Sequence, residues 1–575
     1  MKEKKNILTK KLLPWIATYI SIFGTALFVI EYGFYLPYKT ARIFHFFIYL
    51  CSIILISQFF LKLIFLEAKE IIKEYKIELI LISFFGIFLI LLKTHFLHLK
   101  FLLLRTEEYV FLCQIFVIAF FLLKLPQISK LFFLPRLSPP LIVAVTFLFI
   151  ICIGTFLLYL PLSTAPGKNT SFLDALFTAT SATCVTGLIV VDTGSHFSIF
   201  GQIVILSLIQ IGGLGLMTFA SFFALLSGGL GLKERVVLRE AVRYQNLSKI
   251  GYLVLYILLL TFIIESAGAL LLYFQFLPQA KNSLSAFYSA LFHSISAFCN
   301  AGFSIYPDSF IKYQKNTYVN LTMTSLIICG GLGFVVIVNL LDSFFAWFKK
   351  RKRTISLHTK LVIVTTLILI ATGTFFIYLG EKNNLLKDMT FKNKILASFF
   401  QSVTARTAGF NTIPIDKLTK FSSFLLIILM FIGASPGSTG GGIKTSTFAT
   451  LILAIKSMIQ GKHQVEAFKR TIPQIYIYQA LCVVTLALGW SSISTLFLSF
   501  TENADFLNIL FEVFSALGTV GLSRGITSHL TNFGKIIIII TIFVGRVGPL
   551  TLALAISGKK VAKLYEYPEE SIIIG

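Results

Sequence analysis

Acidic side chains are scarce in this chain: 25 Asp and Glu stand among 575 residues, against 50 Lys and Arg. Charged residues of both signs make up only 13%, about half the share of a soluble domain. That shortage excludes a set of water-facing helices, each of which needs a charged side. Cysteine is sparse too. Cys51, Cys113, Cys152, Cys184, Cys299, Cys329 and Cys482 show no CxxC spacing. Neither a disulfide framework nor a zinc site is suggested, and buried free thiols are expected. No G-x-G-x-x-G occurs, so the chain offers no dinucleotide domain. Gly437 and Gly442 have the outer spacing of a phosphate loop, but Ile443 stands before Lys444, where that loop needs Lys directly. The apolar segments carry no His/Asp/Glu cluster, nucleophile elbow or metal spacing, which argues against an enzyme.

What is abundant is apolar. The share is 56%, with 60 Phe. A spanning helix needs about 20 mostly apolar residues. Such stretches run from Trp15–Leu36, Ile43–Leu66, Ile77–Leu92, Val110–Leu125 and Leu141–Leu160 through to Ile536–Ile556. The first does not read as a cleaved leader: it lacks a clear small-residue cleavage site, and further spans follow at once. The net charge of +25 does not point to nucleic acid. The cations cluster in short loops, as the positive-inside bias requires. Three loops are therefore assigned to the cytoplasm: Lys233 to Arg243, Lys349 to Arg353, and Lys456 to Arg470.

An internal repeat organises the rest. Four segments align on a shared glycine: Ser181 to Gly187, Ser296 to Gly302, Val403 to Gly409 and Ser515 to Gly521. Phe177, Phe292, Phe399 and Phe511 precede them. Each segment lies between two apolar spans and is itself too short to cross a bilayer. The stretches Phe172–Ala182, Leu284–Phe298, Ile395–Ala405 and Leu507–Leu517 read as re-entrant helices. Non-helical backbone at membrane depth survives only where it is buried or lines water. The expected fold is an all-α integral membrane protein. It has four span–pore-helix–span hairpins in pseudo-fourfold arrangement, preceded by four extra transmembrane helices. The boundaries read as 1–135 for the extra module, then 136–250, 251–350, 351–470 and 471–558 for the repeats, with a cytoplasmic tail at 559–575.

A selective cation pore must replace the ion's water shell with oxygens, and backbone carbonyls can do this. Glycine best tolerates the dihedrals required. The expected lining comes from four stretches. They are Cys184, Val185, Thr186 and Gly187; Cys299, Asn300, Ala301 and Gly302; Arg406, Thr407, Ala408 and Gly409; and Gly518, Thr519, Val520 and Gly521. A half-helix aims its negative end at such a site.

These motifs resemble the pore loops of the Trk/Ktr/HKT superfamily of K⁺ transporters, and specifically its KtrB/TrkH membrane subunits. The likeness covers Ser138 to Ile556. It implies four pore units, K⁺ at the filter carbonyls, a homodimer in the cell (inner) membrane and a cytosolic nucleotide-binding ring of the KtrA/TrkA type. It leaves Na⁺ open as a helper ion. In this family Ser at the first filter position is associated with Na⁺ passage; Gly187 argues against that. The resemblance also assigns a gate to the broken span formed by Gly433, Ser435, Pro436, Gly437, Ser438, Thr439, Gly440, Gly441 and Gly442. Lys444 and Arg546 are assigned to it as charged partners. A charge at membrane depth is a functional candidate by default.

Other residues have plainer readings. Arg406 is expected to anchor its loop, since a cation facing the pore would repel the cargo. His293 reads as a packed, hydrogen-bonded ring rather than a pH sensor. Lys124, Gln127, Lys130 and Arg136 recur at multiples of three, as in a voltage sensor, but Pro126 interrupts the run and cytoplasmic anchoring is expected. The Gly-Gly-Leu-Gly runs at 212–215 and 330–333 are expected inside spans, at close helix contacts. The competing mechanism is a coupled symporter with a midplane site.

Overall fold

The computed structural model describes residues 12–34, 37–65, 75–93, 105–132, 139–215, 250–348 and 355–556. The lysine-rich N-terminus, the basic clusters of 233–243 and 349–353, and the 559–575 tail lie outside the described residues. Four helices come first: α1 (Leu13–Gly33), α2 (Tyr38–Phe65), α3 (Lys76–Lys93) and α4 (Arg105–Phe132). They share a core of their own, built on Leu55, Phe85, Phe116 and Phe120.

One order of elements then recurs. A long helix is followed by a short one and then by a second apolar helix. These are α5 (Pro139–Tyr159), α6 (Phe172–Thr183) and α7 (Ile199–Leu214). Next come α8 (Ile250–Phe276), α9 (Ser283–Phe298) and α10 (Thr317–Leu332), the last continued by α11 (Phe334–Phe348). The third set is α12 (Leu357–Glu381), α13 (Phe391–Thr404) and α14 (Lys420–Phe431), with α15 (Thr445–Ile459) after a loop. Strands β1 (Val465–Ala467) and β2 (Arg470–Ile472) pair antiparallel, a small departure from the all-α expectation. The fourth set is α16 (Gln474–Thr501), α17 (Phe506–Gly518) and α18 (Asn532–Val547), continued by α19 (Pro549–Ile556). Among the described residues, six helices are long and apolar enough to cross a membrane, and the α10–α11 pair makes a seventh if counted as one bent span.

The sequence explains where these helices begin. The second apolar helix of every set has a polar residue at its N-cap: Ser198, Asn316, Thr419 and Thr531. Each side chain accepts from the amide three residues on, satisfying a donor the helix cannot. In lipid, apolar burial does not drive helices together, so small residues that admit close backbone contact do. Gly212 and Gly545 show this. A Cβ on either would overlap the last carbonyls of the neighbouring short helix, at Thr183 and Leu517.

Several expectations are corrected. The two Gly-Gly-Leu-Gly runs close their helices: Gly212 to Leu214 and Gly330 to Leu332 are the last residues of α7 and α10 and make the expected close contacts, but Gly215 and Gly333 end the helices. Gly215 and Gly333 have φ of 80° and 89°, a left-handed conformation that glycine alone adopts cheaply. α10 and α11 meet there at 99°. The expected span Ile536–Ile556 is likewise broken, at Gly548, φ 93°. Pro126 does not end its helix; α4 runs on to Phe132. Cys152 and Cys482 are exposed rather than buried, because α5 and α16 turn those faces outward.

The first and fourth sets are tied by an ion pair. Lys535 of α18 lies 2.7 Å from Asp174 in the first turn of α6, and both side chains are less than one-fifth exposed. The carboxylate also sits at the positive end of α6. Lys535→Ala is expected to cost about 1–2 kcal/mol, more than an exposed pair would. The measurement is the unfolding midpoint in detergent; an unchanged midpoint would show that the pair contributes nothing.

Candidate functional site

Each short helix ends in a tight, repeated turn. After α6, the Thr186 amide donates to Ser181 O at 2.8 Å; after α9, Ala301 to Ser296 O at 2.8 Å; after α17, Val520 to Ser515 O at 2.8 Å. Two residues before the shared glycine, φ is positive in all four segments. Val185, Asn300, Thr407 and Thr519 have φ of 56°, 59°, 73° and 49°. The glycines themselves, Gly187, Gly302, Gly409 and Gly521, have φ of 91°, 71°, 78° and 92°. A non-glycine residue held there costs on the order of 1–3 kcal/mol, and such strain gathers at functional sites. Hydroxyls brace the turns. Ser181 Oγ and Ser515 Oγ accept from the amides of Gly187 and Gly521, both at 3.1 Å. Ser296 Oγ donates to Phe303 O at 2.8 Å, and Thr404 Oγ1 to Phe410 O at 2.6 Å.

The four glycines meet. A Cβ added to Gly187 would lie 3.0 Å from Gly302 Cα, and one on Gly302 would lie 3.1 Å from Gly409 Cα. One on Gly409 would lie 3.2 Å from Gly521 Cα, and one on Gly521 would lie 3.0 Å from Gly187 Cα. The order is closed, in chain sequence. In every case the nearest atom is the carbonyl oxygen one residue before the next glycine: Ala301, Ala408, Val520 and Thr186. No side chain fits between them.

The other expected lining residues divide. Thr186, Ala301, Ala408 and Val520 supply those carbonyls. Cys184 and Cys299 cap their helices and are fully buried, with Cys299 Sγ against Gln210 and Glu265. Gly518 is the last residue of α17, and a Cβ there would meet Met430 O of α14 at 2.5 Å. Arg406 is nine-tenths buried and turns to α12, where a guanidinium nitrogen reaches Thr366 Oγ1 at 3.4 Å. That contact with α12 is the orientation expected of a loop anchor. His293 is packed as expected. Its Nδ1 is 2.7 Å from Ser289 O and its Nε2 3.0 Å from Ser304 Oγ.

The glycine-rich loop between α14 and α15 lies against the same turns. Its base is closed by Gly433 N donating to Ile443 O at 2.9 Å. Ser435 N donates to Gly331 O at 3.0 Å, and Gly437 O accepts from Phe334 N at 3.0 Å. Pro436 O faces Gly333, where a Cβ would lie 2.6 Å away. Ser438 Oγ folds back on Ser435 O at 2.6 Å. Thr439 Oγ1 reaches Phe298 O at 3.3 Å, and Gly441 N reaches Thr519 Oγ1 at 3.0 Å. A Cβ on Gly440 would overlap Thr407 Oγ1. Gly437 and Gly442, with φ of 69° and 67°, make the reversals. Two cations hold the loop. Lys444 Nζ donates to Gly440 O at 2.7 Å and to Gly441 O at 3.4 Å. Arg546 of α18 donates to Thr439 O and, with its other terminal nitrogen, to Gly212 O of α7. The loop therefore touches the second, third and fourth sets directly and reaches the first through Arg546.

Sequence reasoning missed the glycine that ends the second helix in three sets. Its signal was present as Gly212-x-x-Gly215, Gly330-x-x-Gly333 and Gly545-x-x-Gly548. It also missed Glu265, a buried carboxylate on α8 that accepts from Gln210 Nε2 at 3.2 Å.

A chain of apolar spans with converging glycine turns has the architecture of membrane cation transport proteins. Comparison with known proteins defines which. The family model described as TrkH, cation transport protein, matches residues 114–563. The Ktr system potassium uptake protein B of Bacillus subtilis (strain 168) is 42% identical over 443 residues, 76% of this chain and 97% of its own. The potassium/sodium uptake protein NtpJ of Enterococcus hirae is 39% identical over 448 residues, 76% and 98%. The crystal structure of the potassium transporter TrkH from Vibrio parahaemolyticus matches with a TM-score of 0.59 at 17% identity, over 86% of this chain and 99% of that one, which shows a shared fold. The chain belongs to the TrkH family of cation transport proteins, and it is a multi-pass membrane protein.

Proposed function

We propose that this chain takes up K⁺ through a channel-like pore driven by the membrane potential. Four hairpins, one from each repeated set, surround the pore in pseudo-fourfold arrangement. Their boundaries follow 136–250, 251–350, 351–470 and 471–558. The single observation that carries this is the closed contact of Gly187, Gly302, Gly409 and Gly521, each against the next segment's carbonyl. Alternating left-handed residues turn successive peptide oxygens toward one side, where they replace an ion's water. The names of the relatives, potassium uptake and potassium/sodium uptake, support the same cargo. A potential of 100 mV is worth roughly 2.3 kcal/mol per charge, enough for large accumulation without a second coupled ion.

The loop Gly433–Gly442 is the gate. Its closed position rests on Arg546 and Lys444, both bonded to loop carbonyls. Opening requires those bonds to break together, which an outside lever must favour. A homodimer and a cytosolic nucleotide-binding ring fit the family, and the ring would supply the lever. Nucleotide control would reside there and not in this chain. Na⁺ acts as a helper ion and not as the cargo.

The test is ⁸⁶Rb⁺ uptake into liposomes holding the purified chain, with a K⁺ gradient and competing K⁺ or Na⁺ outside. The expected result is uptake suppressed by K⁺ at least tenfold more effectively than by Na⁺. Equal competition, or uptake that collapses when the Na⁺ gradient alone is removed, would replace this reading with the symporter.

A further inference from the structure

The four helices before the repeats carry charges that the pore does not use. The family model begins at residue 114, so α1 to α3 lie outside it. At one end of this module Glu78 of α3 accepts from Lys62 of α2 at 2.7 Å and from Lys124 of α4 at 2.5 Å. Lys62 is fully buried and the other two nearly so. Two cations face one carboxylate, so one positive charge is in surplus. At the other end Glu31 of α1 lies 2.6 Å from His45 Nε2 of α2 and accepts from Gln114 Nε2 of α4 at 3.0 Å. Between the two lies an apolar seal of Phe59, Phe85, Phe116 and Phe120, with Phe85 and Phe116 stacked at 4.3 Å.

We infer that this module senses the membrane potential, with Lys124 as its moving charge. A triad kept only for packing would be replaced at little cost by apolar side chains. An unbalanced one is held in place partly by the field across the membrane. The Lys62–Glu78–Lys124 end adjoins the connection bearing Lys69, Lys73 and Lys76, which the positive-inside bias places in the cytoplasm. An inside-negative potential pulls Lys124 toward Glu78. Depolarisation lets it move outward. Gln58 marks the first stop. It is one turn before Lys62 on α2, is buried, and neither of its amide atoms has a hydrogen-bond partner among the described residues. Its free oxygen can receive an ammonium. Glu31 is the far stop. Lys124 lies ten residues from Gln114 on α4, about 15 Å along the axis. That is about half of the roughly 30 Å core. The continuous run of α4 through Pro126 removes one reason for reading these cations as simple anchors, and Gln127 and Lys130 follow on the same helix. α4 precedes α5, the first helix of the first repeat, so its displacement would bear on the pore.

One charge crossing the whole field changes a two-state ratio about 50-fold per 100 mV, and half the field about sevenfold. The test attaches an environment-sensitive dye to Tyr109→Cys, at the outer end of α4, with Cys152 and Cys482 replaced by serine. The full chain is placed in liposomes and stepped through potentials set by K⁺ and valinomycin. The dye signal should follow potential with about sevenfold change in state ratio per 100 mV. Lys124→Gln should flatten it to below twofold. The exchange Glu78→Lys with Lys124→Glu keeps two cations and one carboxylate together, and should reverse the sign. A wild-type signal indifferent to potential, an unaltered slope in Lys124→Gln, or an exchange variant with the wild-type sign would each overturn the inference. A signal that tracks potential in a chain passing no ion would count against the pore reading alone.

Discussion

Alanine at Gly521 is expected to lower K⁺ uptake at least a hundredfold, with Gly187→Ala and Gly409→Ala next and Gly302→Ala mildest. The order follows from what the new methyl group meets. At Gly521 it overlaps Thr186 O; at Gly187 and Gly409 it lies 2.5 Å from Ala301 O and Val520 O; at Gly302 it lies 2.9 Å from Ala408 O. These obstacles are backbone, in turns braced by the Ser181, Ser296, Thr404 and Ser515 hydroxyls, and cannot swing aside. The positive φ adds about 1–2 kcal/mol of strain at each position. The carbonyl that must yield is the one proposed to hold the ion. Displacement on the order of 1 Å in a preorganised site costs about 10²-fold. Initial rates of ⁸⁶Rb⁺ uptake, with the thermal midpoint recorded alongside, decide the matter. Four equal losses, or full activity at Gly521→Ala, would show that these carbonyls do not contact the cargo.

Arg546→Ala is expected to act in the opposite direction, raising basal flux of the isolated chain by tenfold or more. The guanidinium bridges Thr439 O of the loop and Gly212 O of α7, and it lies 5.8 Å from the Phe147 ring. Hydrogen bonds from a charged donor contribute about 1.5–3 kcal/mol each, so two hold the loop shut by several kcal/mol. Lys444, which donates to Gly440 O and Gly441 O, adds to this hold. Arg546→Lys keeps the charge but cannot span both carbonyls, and should fall between. Flux in Arg546→Ala equal to wild type, in a correctly folded chain, would leave the loop without a latch.

Much of this was legible in the residues. The four glycines stand in matched context, and their spacing alone fixed where the turns would fall. The expected re-entrant stretches fall on α6, α9, α13 and α17, with only Ala405 one residue past its helix. Gly433–Gly442 could be read as a break because Gly and Pro at that density cannot continue a helix. Three things could not be read. Gly215, Gly333 and Gly548 look like ordinary membrane glycines until their φ is known. The partners of Arg546 lie 107 and 334 residues away in the chain, and both are backbone atoms, which leave no side-chain signature. Lys62, Glu78 and Lys124 are single charges in apolar runs, and nothing in their spacing says that they meet.

Each wall of the proposed conduit is written by its own stretch of one polypeptide. In a ring of identical subunits, a change to one codon alters all four walls together. Here Thr186, Ala301, Ala408 and Val520 already present three kinds of side chain while offering the same oxygen. A substitution in this chain therefore perturbs one quarter of the opening and spares three. Evolution can retune such a passage in quarter steps, trying a new preference on one side while the others keep the cell supplied.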